Sequence, residues 1–349
     1  MNTSRLFMLA WRIVPRLPEG CTRVLFDVVG QLAHAVRLRS VRQLEANLAR
    51  VRPDLRGRAL RRVSRAGMRA YLRYFGEVLT LRAVPEEQLR HRLRLLNPGV
   101  ATEYLHQGRS VVAALGHTGN WDLAGAWCGR YLARVLTVAE VLQPPELFEQ
   151  FQSFRADLGM DVLGLTRDGS VLPTLARMAH EHTYLVPLLA DRDLSRTSIE
   201  AAVGAHRMRV AAGPAVLAEA MGAPLVQVFI RHERLRGKRR RLAGTRWGLV
   251  AELRPVQVAD DVAPPERVRA LTQAWVDVLM ERIRAHPDQW HMLSKVFTED
   301  LDAARLARAH ARQARRPAGG GRAAPSAAET VEDVRREGGL EASGSEGGS

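Results

Sequence analysis

A histidine and an aspartate with four residues between them are the side chains most suited to chemistry in this sequence. His117 and Asp122 belong to the segment His-Thr-Gly-Asn-Trp-Asp. An imidazole that is oriented by a carboxylate can serve as a general base near neutral pH and remove a proton from a hydroxyl group. On one regular helix the two side chains would point roughly 140° apart, whereas a sharp turn can bring them together. We therefore interpret them as a hydroxyl-activating pair in which Asp122 orients His117.

The sequence on either side of the pair predicts such a turn. Residues 110–115 are apolar and are followed by Gly116, which is typical of a buried strand that ends there. A helical pattern starts after Asn120, a residue type that favours the N-cap position. Glycines at 116 and 119 would let a substrate approach the backbone. The spacing alone is weak evidence, because a chain with 11 histidines and 37 acidic residues contains such pairs by chance.

The composition indicates a globular protein with an anionic partner. The chain has 349 residues, of which 46% are hydrophobic, and its formal net charge is +15. Aromatic residues make up only 5% of the chain and no nucleic-acid motif is present, which argues against nucleic acid and favours an anionic membrane surface. Cys21 and Cys128 lack the spacing of a metal site or a disulfide framework, so we expect no metal and a reducing compartment.

Two segments near the start of the chain are candidates for contact with a membrane. Residues 6–18 are apolar, but Arg12 and Pro15 interrupt them, and they are too short to span a bilayer. They also lack a convincing signal-peptide cleavage site. Residues 24–39 are amphipathic with a basic end, as in helices that lie in the interface of an anionic membrane. Ordinary core helices of an N-terminal bundle are an equally good interpretation of both segments.

The chain divides into three parts by composition. Residues 1–95 predict a helical, membrane-associating segment, residues 96–311 an α/β core, and residues 312–349 a disordered tail rich in Gly, Ala, Ser, Pro and Glu. Short apolar runs alternate with helical stretches in the core, which predicts a mixed, mostly parallel sheet flanked by helices. These runs are 110–115, 134–141, 183–190, 224–230 and 247–258, and a long helix is expected at 265–285. The basic run 234–241 is interpreted as an exposed, solvated loop, although an anionic headgroup could dock there.

Several segments, taken in order, resemble one enzyme family. The chain is similar to the bacterial lysophospholipid-acyltransferase superfamily in its lauroyl/myristoyl, lipid A type branch, with the nearest likeness to the actinobacterial phosphatidylinositol mannoside acyltransferases. The resemblance covers roughly residues 5–300 and is carried by residues 41–48, 117–122, 190–194, 207–215 and 286–293. It implies a glycerolipid-acyltransferase-like fold and a peripheral enzyme at the cytoplasmic face of the cell membrane. Such an enzyme moves a long acyl chain from acyl-CoA, its co-substrate, to a sugar hydroxyl of a glycolipid acceptor such as phosphatidylinositol mannoside, and needs no cofactor.

The resemblance also implies roles for single residues. His117 would take the proton of the acceptor hydroxyl, and Asp122 would hold the imidazole. No covalent acyl-enzyme is required, which agrees with the absence of a Gly-x-Ser-x-Gly elbow. The family carries a further acidic residue near this pair. Asp191 is the first candidate because it follows an apolar strand, where sites in such sheets collect, and Glu200 is the second.

Four more residues are candidates for substrate binding. Glu140 and Arg155 would form an acidic–basic pair in the acceptor or acyl channel if the resemblance holds, and an ordinary salt bridge otherwise. Arg207 and Arg209 would contact phosphates of coenzyme A or of the lipid, or else form a solvated face.

Other functions stay open at this point. The acceptor could be another lipid or a secondary metabolite, and the donor could be an acyl carrier protein. A non-catalytic, basic protein that binds membranes peripherally is the alternative outside the enzymes.

Overall fold

The computed structural model describes residues 13–140, 145–165, 171–195, 197–304, 307 and 327–340. Within these residues a seven-stranded sheet is covered by helices on both faces. Its strands are β1 (Leu93–Leu96), β2 (Val111–Leu115), β3 (Val135–Glu140), β4 (Met160–Leu165), β5 (Leu185–Leu189), β8 (Leu225–Arg234) and β9 (Trp247–Val256). A separate antiparallel hairpin consists of β6 (Ile199–Val203) and β7 (His206–Val210).

The helices fall before, between and after the strands. Those that precede β2 are α1 (Glu19–Ala35), α2 (Arg39–Val51), α3 (Gly57–Thr80), α4 (Glu86–Arg92) and α5 (Gly99–His106). Those that follow are α6 (Trp121–Tyr131), α7 (Pro145–Asp157), α8 (Leu172–Glu181), α9 (Gly213–Met221), α10 (Gly237–Leu242), α11 (Pro264–Ala285) and α12 (Ala327–Glu337).

The strand order is β1-β9-β8-β2-β5-β3-β4, and every neighbouring pair is parallel except β8 and β9. The predicted fold, a mixed and mostly parallel sheet flanked by helices, is confirmed. Each predicted apolar run contains a strand, and every residue of the central strand β2 is buried, as expected where helices cover both faces. The strands β1, β4, β6 and β7 were not predicted, since their runs are short or carry charged residues.

The N-terminal helices belong to the same core as the sheet. Helix α2 buries Val41, Leu44 and Leu48, and α3 contributes Met68 to the same apolar cluster. Strand β1 begins at residue 93, so the predicted boundary at 95 falls inside an element of the sheet. No helix of the described residues has the length and the apolar character to cross a membrane. The first part of the apolar segment 6–18 lies outside these residues.

The tail contains a helix where the sequence predicts disorder, so that prediction is wrong for residues 327–337. Val331 and Val334 of α12 are buried, and Arg335 donates a hydrogen bond of 2.8 Å to the carbonyl of Glu219. Two valines three positions apart lie on one side of a helix, and together they pack against α8, α9 and α11. Average composition does not reveal so short an apolar face.

Candidate active site

The predicted turn between strand and helix is present at residues 116–120. Strand β2 ends at Leu115, and the side chain of Asn120 caps α6 by accepting a 2.9 Å hydrogen bond from the amide of Leu123. Gly119 has a φ of +58°, and a Cβ built there would lie 2.6 Å from the carbonyl oxygen of Ile230. Only glycine fits this position, because both the dihedral angle and the approach to β8 exclude a side chain. The turn brings His117 to the carboxyl edge of the sheet.

Asp191 is the carboxylate that contacts the imidazole of His117. Its Oδ1 lies 2.5 Å from Nδ1 of His117, and its Oδ2 accepts the backbone amide of His117 at 2.9 Å. Strands β2 and β5 are parallel neighbours, so the residues that follow them meet at the same edge. The side chain of Asp191 is fully buried. The structure therefore joins the two residues that the sequence places 74 positions apart.

Asp122 does not hold the imidazole, which corrects the expected geometry of the pair. Its Oδ1 accepts a 2.8 Å hydrogen bond from Nε of Arg155, and its Oδ2 accepts one of 2.8 Å from the hydroxyl of Tyr74. Asp122 is the second residue of α6, and this position directs its side chain toward α3 and α7 rather than back toward the strand end. The carboxylate is buried and forms an ion pair with Arg155.

The charge of Asp191 controls the protonation of His117. Burial of the ring lowers the pKa of His117, but the charge and the hydrogen bond of Asp191 outweigh this effect and hold the pKa above its usual value. Burial raises the pKa of Asp191, and the contacts with His117 and Trp290 more than offset it, so this carboxyl stays ionised. Nδ1 of the neutral ring donates its hydrogen to the carboxylate, so Nε2 carries the lone pair. The His117 side chain is 35% exposed, and Nε2 has no hydrogen-bonding partner among the described residues.

Residues 289–291 hold the turn from the opposite side. The indole Nε1 of Trp290 donates a 2.9 Å hydrogen bond to Oδ2 of Asp191, and the amide of His291 donates one of 2.7 Å to the carbonyl of His117. The amide of Gly119 donates to the carbonyl of Gln289 at 3.2 Å.

The ring of His291 is neutral at physiological pH, because burial and, after it, the charge of a neighbouring histidine lower its pKa to about 3. Its Nε2 lies 3.0 Å from the carbonyl of Gly119 and donates to it.

A second polar cluster lies beneath the same turn. Nε2 of His232 donates to Oε2 of Glu77 at 3.1 Å, and the side-chain amide of Asn120 donates to the same oxygen at 2.8 Å. Gln289 donates its Nε2 to Asp288 at 2.7 Å, so its Oε1 faces Nδ1 of His232 at 3.2 Å. Both ring nitrogens of His232 therefore face acceptor oxygens. Burial raises the pKa of Glu77, but His232 and Asn120 outweigh it and lower the pKa to about 2.

Sequence reasoning missed the residues that support the turn. Tyr74 and Glu77 are on α3 and His232 is on β8, and no local pattern connects them with His117. Trp290 stands in one of the segments that carry the family resemblance, but its contact with Asp191 is visible only in the folded chain.

An apolar cavity lies between α6 and the sheet. One end is formed by Trp121, Asp122 and Arg155, next to the turn that carries His117. The other end is formed by Cys128, Leu132, Val135 and Leu185, and the walls include Ala113, Leu115, Pro187, Leu189, Val228, Ile230, Ala251 and Leu253. Along β5 the lining extends from Leu189 to Leu185, which corresponds to about 13 Å at the rise of a strand. The cavity has the shape and lining that suit an alkyl chain.

The remaining candidates lie away from the imidazole or outside the described side chains. Glu140 ends β3, but its side chain is not among those described, so its predicted pair with Arg155 stays a prediction. Glu200 is exposed on β6 and does not occupy the position beside His117, where the structure places Asp191. Arg207 is exposed on β7. Arg209 donates to the carbonyl of Ser195 at 2.9 Å and so holds the loop before β6.

The part of the chain that the structure describes holds no group of three or more His, Cys, Asp and Glu side chains arranged for a metal ion. Cys128 lies at the far end of the apolar cavity, and burial raises the pKa of its thiol to about 12. This thiol is therefore a packing group and not a nucleophile at physiological pH.

Comparison with known sequences places these features in a family. Residues 3–299 match the sequence model of a family described as bacterial lipid A biosynthesis acyltransferase. The phosphatidylinositol mannoside acyltransferase of Mycolicibacterium smegmatis is 32% identical over 304 residues, which cover 86% of this chain and 93% of the relative. The protein of the same name from Mycobacterium tuberculosis is 32% identical over 314 residues, which cover 89% of this chain and 93% of the relative.

Proposed function

The chain belongs to the bacterial lipid A biosynthesis acyltransferase family, and from this premise we propose that it transfers a long acyl chain from acyl-CoA to a sugar hydroxyl of phosphatidylinositol mannoside. The family makes the protein an acyltransferase, as the sequence predicts. The acceptor is inferred from the mycobacterial relatives, which this chain matches over 93% of their length. We place the reaction at the cytoplasmic face of an anionic membrane, where the enzyme is bound peripherally.

The observation that carries the mechanism is the hydrogen-bonded pair of His117 and Asp191. Nε2 of His117 removes the proton from the acceptor hydroxyl while the hydroxyl oxygen attacks the thioester carbonyl. The imidazolium that forms is stabilised by Asp191, whose charge already raises the pKa of His117 in the free protein. The buried carboxylate is held in place by Trp290 and cannot rotate away from Nδ1 without loss of that hydrogen bond.

The second half of the reaction releases the thiol. The tetrahedral intermediate collapses with cleavage of the carbon–sulfur bond, and Nε2 of His117 returns its proton to the departing thiolate of coenzyme A. The products are the acylated sugar and free coenzyme A, and His117 is again neutral. No acyl group is attached to the protein at any stage.

The apolar cavity is the place that we propose for the acyl chain. Its end at Trp121 adjoins His117, whose ring centroid lies 5.5 Å from that of Trp121. An acyl chain in the cavity would therefore present its carbonyl carbon to the acceptor at Nε2. Asp122 and Arg155 line this end as a neutral ion pair, and we propose that they position the acyl carbonyl rather than the imidazole.

The test compares His117→Ala with His180→Ala, a matched change at an exposed histidine of α8. Purified proteins receive palmitoyl-CoA and phosphatidylinositol mannoside, free thiol is followed with a chromogenic reagent, and the acylated lipid is identified by mass spectrometry. General-base catalysis contributes about 10²- to 10⁴-fold, so His117→Ala should lose at least 100-fold in kcat while His180→Ala keeps its activity.

Retention of more than about a tenth of the activity by His117→Ala would contradict the proposed base, given the size of this contribution. Parallel reactions with acyl carrier protein as donor, and with other lipids as acceptors, separate the alternative enzymes. If none of these reactions releases thiol and the protein nevertheless binds vesicles, it is a membrane-binding protein without this activity.

A further inference from the structure

A basic concavity lies at the end of the β8–β9 hairpin, outside the site described above. It has a volume of about 750 Å³ and is formed where the start of α1 meets α10 and the start of β9. Four arginines line it together with Glu19 and Thr245, and these are Arg23, Arg240, Arg241 and Arg246. The basic run 234–241, which the sequence predicts as an exposed loop, instead forms the end of β8 and most of α10, and it contributes Arg240 and Arg241 to the concavity.

The positive charge of the concavity is not neutralised from within. Among the described residues, the only acidic side chain in its lining is Glu19, which accepts hydrogen bonds from Arg23 at 2.7 Å and from Arg92 at 2.9 Å. Arg240, Arg241 and Arg246 are exposed and form no ion pair with any carboxylate of the described residues. Three unpaired guanidinium groups around one depression suit the oxygens of a phosphate, which they can bind in pairs.

Helix α1 presents an apolar face that starts beside this concavity. Val24, Val28 and Leu32 follow one another at intervals of four residues, and Val36 continues the row just after the last residue of the helix. Their exposed fractions are 64%, 45%, 59% and 67%. Leu25 and Val29 extend the same side of the helix. Large apolar residues grouped along one face of a helix mark a binding surface, whereas scattered ones do not. Arg23 connects the two features, since it precedes Val24 and lines the concavity.

The sheet places the concavity near the reacting edge. Strand β8 lies parallel to β2 with Val228 opposite Leu115, and it continues to Arg234 beyond the level of His117. The hairpin that carries the arginines therefore projects from the same edge of the sheet as the imidazole. A surface bound there would lie at the edge of the sheet that carries His117.

We propose that Arg240, Arg241 and Arg246 bind the phosphate of an anionic phospholipid while the apolar face of α1 enters the same leaflet. A soluble phosphate compound would account for the arginines alone, whereas a bilayer accounts for the arginines and the adjoining apolar face together. The proposal rests on the proposed function in one respect, that the acceptor is held in a membrane. The arginines and the apolar face of α1 form the surface that brings the site to that acceptor.

The experiment measures flotation of the full-length protein with vesicles of phosphatidylcholine alone or mixed two to one with phosphatidylglycerol. The test variant is R240Q/R241Q/R246Q. The matched control, R177Q/R269Q/R284Q, removes the same charge from α8 and α11, helices that contribute no residue to the concavity. Each arginine near an anionic surface contributes about fivefold, so the test variant should bind the mixed vesicles on the order of 100-fold more weakly. The control should bind like the unmodified protein, and high salt should remove the difference.

A second variant separates the apolar contribution. V24Q/V28Q/L32Q changes exposed residues only and should weaken binding to both kinds of vesicle, because insertion of α1 does not depend on lipid charge.

Equal binding of the mixed vesicles by R240Q/R241Q/R246Q and its control would overturn the proposal. So would displacement of the unmodified protein from these vesicles by coenzyme A or inorganic phosphate at constant ionic strength, since the concavity would then be a site for a soluble anion. Acyl transfer by the unmodified protein to detergent-dispersed acceptor tests the proposed function separately.

Discussion

Replacement of Asp191 by asparagine should remove catalysis by forcing the wrong tautomer on His117. Oδ2 of Asp191 accepts from two N–H groups, the amide of His117 and the indole of Trp290. In Asp191→Asn the amide oxygen must occupy that position, so the NH₂ group is directed at Nδ1 of His117. Nδ1 then has to accept, the ring proton moves to Nε2, and Nε2 can no longer take a proton from a hydroxyl.

The expected fall in kcat of Asp191→Asn reflects the loss of both the correct tautomer of His117 and the negative charge beside it. In the serine protease triad the equivalent change lowers kcat by about 10⁴-fold, and we expect a loss of this order here. The pH dependence provides a second measurement. The base acts only when it is neutral, so the rate of the unmodified enzyme falls as the pH drops through the pKa of His117, which Asp191 holds above its usual value. Without the charge of Asp191 the midpoint of this fall should move to lower pH.

The assay is thiol release from palmitoyl-CoA with acceptor over a range of pH, and Asp122→Asn is the comparison. Asp122 does not contact the imidazole, so this variant should keep the pH midpoint of the unmodified enzyme. It should still lose activity, because the charge of Arg155 is no longer balanced by a carboxylate. Activity of Asp191→Asn within tenfold of the unmodified enzyme, at an unchanged midpoint, would refute the reasoning. A shifted midpoint in Asp122→Asn would return the orienting role to that residue.

Three further predictions concern the support of the site and its cavity. Trp290→Phe removes one donor to Asp191 and should lower kcat about 10-fold or more with little effect on KM, as steady-state kinetics would reveal. Glu77 has a pKa of about 2 in the folded protein, so it stabilises the fold above about pH 4.5 and loses this contribution, about 3 kcal/mol, as the pH falls toward 2. In urea denaturation at several pH values, Glu77→Gln should be less stable than the unmodified protein near neutral pH, and the difference should shrink toward pH 2. A constant difference would contradict the prediction. Cys128→Met fills the far end of the cavity and should lower kcat/KM for palmitoyl-CoA relative to lauroyl-CoA by about fourfold for each methylene that is excluded. An unchanged ratio would place the acyl chain elsewhere.

Local patterns in the sequence were sufficient to predict the strand, the turn and the helix start around His117. The apolar run of β2 and the cap at Asn120 act over a few residues, and both are found as predicted. Such features depend on backbone dihedral angles and hydrogen bonds between near neighbours. Gly119 makes room for the carbonyl of Ile230 on β8, where the sequence predicted room for a substrate. The family resemblance, read from segments in a fixed order, is also confirmed. The helix at residues 327–337 shows the limit of this approach, because its two buried valines are stabilised by distant helices and not by their own segment.

The sequence by itself determined that His117 stands at the end of a buried strand before a capped helix, since these are consequences of local hydrophobicity and capping. Which carboxylate orients the imidazole was decided by the tertiary structure. Asp122 is near in sequence, but the first turn of α6 directs it to Arg155 and Tyr74. Asp191 is 74 residues from His117, and the parallel pairing of β2 with β5 brings it into contact. Trp290, 99 residues further along, then holds that carboxylate, because hydrogen-bond partners of buried polar groups are set by packing in space rather than by distance along the chain.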